Sequence, residues 1–143
     1  MQVSVYEICT GVYYFHKKDH RDGTNEKSQW IISPPQERAC FLRAYEAHWC
    51  NQNGIGWGLH FENGQVAYLG KSRSRESEPR DIFIAKFVDG NKNDKWHGYP
   101  ADHVKNSQDI PPVKILKVWA DAHYIRPALV RKLASGQKCK LSK

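Results

Sequence analysis

Residues 51–70, NQNGIGWGLHFENGQVAYLG, constrain the fold more than any other stretch of the chain. Two strand-like runs flank Asn63-Gly64, which supplies the pair of positive φ angles that a type I′ hairpin turn requires. A hairpin commits at least part of the sheet to antiparallel pairing. Gly54, Gly56 and Gly58 remove side chains from the first strand and predict a bulge or a close backbone approach.

The rest of the chain is read around that hairpin. The opening run MQVSVYEICTGVYYFHKK is rich in β-branched and aromatic residues and reads as one or two strands interrupted near Gly11. KDHRDGTNEKSQ is polar and reads as an exposed loop, and WIIS is a short apolar run that stops at Pro34-Pro35. Good helix formers then predict a helix near 36–50. Ala39, Leu42, Ala44, Tyr45 and Trp49 would form its apolar face, with Glu37, Arg38 and Glu46 turned to water. KSRSRESEPR reads as a connector and DIFIAKFV as a buried strand. NKNDKWHGYPADH, residues 91–103, reads as a loop because Gly98 and Pro100 punctuate it.

The segment PPVKILKVWADAHYIRPALVRKLASG predicts two helices, with Pro112 and Pro127 in their first turns and Gly136 ending the second. Strands and helices mix without regular β-α alternation. A chain of 143 residues is long enough for one core. The expectation is a single α+β domain over 1–143, with a mainly antiparallel sheet, one helix near 36–50 and two C-terminal helices.

Charge is distributed unevenly. Residues 1–104 carry thirteen Lys/Arg and thirteen Asp/Glu; residues 105–143 carry nine Lys/Arg against Asp109 and Asp121. The whole formal charge of +7 therefore lies in the basic helical segment 105–143. Such a single-sign field attracts polyanions, which points to nucleic acid or an acidic protein surface as partner. Lys114, Lys117, Arg126, Arg131, Lys132, Lys138 and Lys140, with Lys143, are the candidate phosphate contacts. Residues 116–135 also resemble a helix-turn-helix unit: Ala120, Ile125, Val130 and Leu133 occupy its small and apolar positions, and Tyr124 stands where the pattern has glycine. The resemblance implies a second helix that meets nucleic acid.

The 91–103 segment raises a different possibility. His97 has the ordinary pKa for proton transfer near neutrality, and Asp102 and His103 lie close in sequence. Asp89, Asp94 or Glu62 could also orient His97, and Lys95, Arg73 or Arg75 could hold an anion. Trp96 and Tyr99 offer faces for stacking a base or meeting an apolar partner. On this reading the protein is a small metal-independent nuclease or another phosphate-directed enzyme. A third reading is an immunity- or adaptor-type interaction module. Phe87-Val88-Asp89-Gly90-Asn91 is similar to part of the Fic-type nucleotidyl transferase motif, but Ala85 and Lys92-Asn93 replace the histidine and the Gly-Arg on which that chemistry depends.

No metal or cofactor is expected. His16 and His20 have H-x-x-x-H spacing, but Lys17 occupies the position of the zinc-protease glutamate. Cys9, Cys40, Cys50 and Cys139 contain no C-x-x-C pair and read as free thiols, Cys139 with a pKa lowered by its basic neighbours. The N-terminus lacks a secretory pattern, and no apolar run is long enough to span a bilayer, so a cytoplasmic location is expected.

Overall fold

The computed structural model describes residues 4–23, 26–74 and 77–141. Its main sheet has six strands in the order β1 (Val5–Cys9), β2 (Val12–Phe15), β9 (Lys95–Pro100), β8 (Ile84–Val88), β4 (Ile55–Glu62) and β5 (Gln65–Ala67). All neighbours pair antiparallel except β2 and β9, which run parallel. A second sheet joins three two-residue strands, β3 (Gln29–Trp30), β6 (Gly70–Lys71) and β7 (Asp81–Ile82). Among the described residues three α-helices complete the α+β domain: α1 (Pro34–Glu46), α2 (Val113–Asp121) and α3 (Ala128–Ala134).

The β4–β5 turn has the expected form. Asn63 and Gly64 have φ of 54° and 78°, and Glu62 pairs with Gln65 across the two-residue loop. The glycines of β4 answer to packing. A Cβ at Gly58 would lie 2.7 Å from Phe87 Cε2, and one at Gly98 on β9 would lie 2.3 Å from Phe87 Cδ1. The Phe87 ring on β8 thus covers a glycine on each neighbouring strand.

That packing also corrects the reading of 91–103 as a loop. Lys95–Pro100 is a strand in which Trp96, Gly98 and Pro100 are buried while His97 and Tyr99 are half-buried. Gly98 lies in the strand because Phe87 fills its side-chain space. Trp96 belongs to the core, packed against Phe41 of α1 at 5.5 Å between ring centroids. It therefore presents no face for stacking a ligand.

Helix α1 begins earlier than expected. Pro34 and Pro35 occupy its first positions, where no N–H is needed, and Ser33 forms a capping box with Gln36. Its buried positions are Glu37, Cys40, Phe41 and Ala44, a single face at helical spacing, while Ala39 is exposed. Glu37 is therefore inside rather than in water. Arg21 donates to its carboxylate through Nε at 3.1 Å and Nη2 at 2.7 Å, Tyr14 donates its hydroxyl, and His16 Nδ1 lies 3.0 Å away. A carboxylate with that many polar partners can be buried.

The C-terminal helices attach through aromatic rings. Trp119 packs edge-on to Trp49 at 5.6 Å, and Tyr124 edge-on to Phe61 at 5.0 Å. Leu116, Trp119, Ile125, Leu129 and Leu133 are buried. All three helices end in the same hydrogen-bonded cap, with a left-handed residue at its centre: His48, His123 and Gly136, at φ of 62°, 64° and 74°. In each, the amide of the following residue donates back to a helical carbonyl, Trp49 to Ala44, Tyr124 to Trp119 and Gln137 to Lys132, all at 2.9 Å.

Candidate polyanion interface

The inward faces of α2 and α3 are apolar, so their cations are left on the outside. Lys114, Lys117, Arg126, Arg131, Lys132, Lys138 and Lys140 are all exposed. Among the described residues none of the seven forms an ion pair within 4.0 Å. Lys143 lies outside the described residues, as does Arg75.

The two carboxylates of this segment differ. Asp109 is buried and committed inward: it accepts from the Tyr99 hydroxyl at 2.8 Å and the Asp102 amide at 3.2 Å, with Lys86 Nζ at 3.9 Å. Burial raises the Tyr99 pKa, and Asp109 adds to the effect. Only Asp121 places negative charge on the outer surface of the described segment. The segment's own carboxylates therefore offset little of its positive charge.

The match to a helix-turn-helix unit is confined to the helices. Ala120, Ile125 and Leu133 are buried and Val130 is half-buried, as that pattern requires. The turn differs, because the left-handed residue is His123 rather than Tyr124. Tyr124 instead packs against Trp49 and Phe61.

The candidate catalytic residues are bonded to separate partners. His97 lies against Phe15 at 5.0 Å between ring centroids, and its pKa is lowered to about 4, mainly by burial, with help from nearby Lys17 and His20. Asp102 accepts from Arg80 at 2.9 Å and from the Lys105 amide at 3.3 Å, which fixes the turn after β9. His103 Nε2 donates to the Gln137 carbonyl at 2.8 Å and ties that turn to the C-terminal tail. Tyr99 stacks on His20 at 5.1 Å. Among the described residues, His97 takes part in no hydrogen bond or ion pair with Asp102 or His103.

His16 and His20 also diverge. His16 faces Glu37 and Arg38, whereas His20 Nδ1 lies 2.8 Å from the Ser28 carbonyl oxygen. Among the described residues, no three His, Cys, Asp or Glu side chains are arranged to hold a metal ion. Their four cysteines are free thiols. Burial raises the pKa of Cys139 in spite of Lys132 and Arg126, which corrects the expectation of a lowered value. Among the described residues, no helix is long and apolar enough to cross a membrane.

Two of the concave sites take in residues singled out above. One, of about 310 Å³, is lined by His20, Tyr99, Asp102 and Asp109 together with Lys27 and Lys105. The other, of about 350 Å³, lies beside the tail, where Arg80, Phe83, His103 and Val104 meet Lys138–Lys140. Sequence reasoning missed Arg80, Phe83 and Val104. Their only signal was position, because Arg80 to Phe83 join the polar connector to β8. No family model, curated protein or solved structure matches this chain.

Proposed function

We propose that the protein binds nucleic acid through α2, α3 and the tail that follows, chiefly by contacts to phosphate. One observation carries this reading: seven cations of one segment are exposed and form no ion pair with a carboxylate among the described residues. A cation already paired within the protein must give up that partner to meet a phosphate. An unpaired one only exchanges water and releases condensed counterions from the polymer. The cost of engagement is correspondingly low.

The enzymatic reading has weaker support. A general base works best with a pKa near the operating pH, and His97 titrates near 4. Its ring packs against Phe15.

Binding to a fluorescent oligonucleotide, followed by anisotropy across a salt series, tests the proposal. If about four cations engage a duplex, log K falls against log salt with a slope of roughly −3.6. Arg131→Glu combined with Lys132→Glu weakens binding at matched salt and makes the slope shallower by about two. Unchanged affinity in that folded double variant would overturn the proposal. So would purification with an acidic protein and no retention of nucleic acid.

A further inference from the structure

The tail closes one side of a cavity of about 350 Å³, at the small end of the range for ligand pockets. Its lining has two characters. Lys138 and Lys140 come from the tail and Arg80 from the body, so cationic groups approach from both sides, and His103 also lines the body side. Val104 and Cys139, with the part of the 7% exposed Phe83 that reaches the cavity, supply an apolar wall. Asp81, the carboxylate of the lining, is held by Lys71.

The cationic groups retain capacity for a ligand. Arg80 uses Nη2 on Asp102, which leaves its remaining guanidinium donors without a partner among the described residues. His103 donates from Nε2 to the Gln137 carbonyl, and this bond holds the tail against the cavity. Lys138 and Lys140 are exposed and form no ion pair among the described residues. A free phosphate would need only these cations. The apolar wall beside them suits a group that is flat and weakly polar and directly joined to a phosphate.

A duplex presents phosphates on a convex surface and keeps its bases stacked inside. An unpaired strand can turn a base out into a concave site. We infer that this cavity seats one unpaired nucleotide of a single strand, with its phosphate on Lys138, Lys140 and Arg80 and its base against Phe83 and Val104. The inference rests on the nucleic-acid reading and adds to it a preference for single strands.

Cys139 provides a direct test, because it is among the residues that line the cavity. The intact protein is alkylated with and without adenosine monophosphate, and with inorganic phosphate, and the modified cysteine is identified by mass spectrometry. Adenosine monophosphate is expected to slow alkylation of Cys139 severalfold, while inorganic phosphate at the same concentration has little effect. Equal protection by phosphate, or protection by neither, overturns the inference.

The second arm compares a single-stranded oligonucleotide with its duplex at matched salt. The single strand is expected to bind about tenfold more tightly, in line with one base contact. Val104→Trp, which fills the cavity, removes that preference and leaves duplex affinity unchanged. Equal affinities in the wild type, or a preference that survives in Val104→Trp, also overturn the inference. The Arg131→Glu with Lys132→Glu result on duplex is independent of the cavity. Loss of the salt-dependent effect there would instead remove the underlying nucleic-acid reading.

Discussion

Four cations of the body and those of the C-terminal helices are used in opposite ways, although Lys17, Lys18, Lys27, Lys92 and Lys95 of the body are exposed as well. In the body, Arg21 serves the buried Glu37, Arg80 holds Asp102, Lys71 meets Asp81, and Arg43 lies over the Phe61 ring at 4.1 Å. In the C-terminal segment, seven cations face solvent with no ion-pair partner among the described residues. A paired, desolvated cation contributes to the folded state, and its loss leaves an uncompensated charge. A solvated cation contributes almost nothing to stability and remains available to a ligand. The difference teaches that like-charged residues can be committed to the fold or left in water, so mutations should separate stability from the proposed binding.

The largest effect is expected where a cation serves a buried carboxylate. Arg21→Met leaves Glu37 with only Tyr14 and His16 as partners and should lower stability by about 3–5 kcal/mol in urea unfolding. Arg131→Glu with Lys132→Glu should stay within about 0.5 kcal/mol of the wild type in the same assay. A small effect for Arg21→Met, or a large one for the C-terminal pair, breaks the comparison.

Gly98→Ala tests the body from its packing. The added Cβ would lie 2.3 Å from Phe87 Cδ1 and 2.9 Å from the Lys86 carbonyl oxygen, so the strand or the ring must move. A loss of about 2–3 kcal/mol is expected, as for other overpacked cores. Were 95–100 a surface loop, as its glycine and proline suggest, the same change would be nearly neutral. Thermal or urea unfolding distinguishes the two.

Much of the fold was legible because it is written locally. Asn63-Gly64 specifies its turn, Pro34-Pro35 and Gly136 mark helix ends, and the charge excess of 105–143 is plain in the sequence. What was not legible depends on distant partners. Glu37 reads as a solvent residue until Arg21, from a polar loop sixteen positions earlier, is placed on it. Gly98 reads as punctuation until Phe87 fills its space. The tail cavity is built from residues 80–83, 103–104 and 138–140, and no local pattern announces such an assembly. Trp96 and Tyr99 read as a pair of stacking residues, yet strand alternation puts them on opposite faces.

The pH response should come from the body as well. His97 has a folded pKa of about 4, below the unfolded value near 6.5, and burial lowers that of His20 too. Between these pH values the unfolded chain binds more protons, so unfolding free energy rises with pH. Stability from this source is complete above about pH 6.5 and is lost as pH falls toward 4. His97→Gln should flatten that part of the profile. Proton NMR of the His97 ring should show no titration above pH 5.5, and a midpoint near 6.5 would contradict its half-buried place against Phe15.

The smallest effects sharpen the comparison most, because they test the two regions with the same substitution. His48 ends α1 in the body, and His123 ends α2 in the C-terminal segment. Both are exposed and left-handed, in caps with the same hydrogen bonds. A non-glycine residue in that conformation costs about 1–2 kcal/mol, part of which is offset by the extra freedom glycine brings to the unfolded chain. His48→Gly and His123→Gly should therefore each raise stability by about 0.5–1 kcal/mol. Equal gains in global unfolding would show that the C-terminal helices fold with the sheet as one unit, joined through Trp49, Trp119, Tyr124 and Phe61. A gain confined to His48→Gly would mean that α2 and α3 open before the body does. The cations on them would then sit on an element that orders separately, and their separation from the stabilising charges would extend from chemistry to folding.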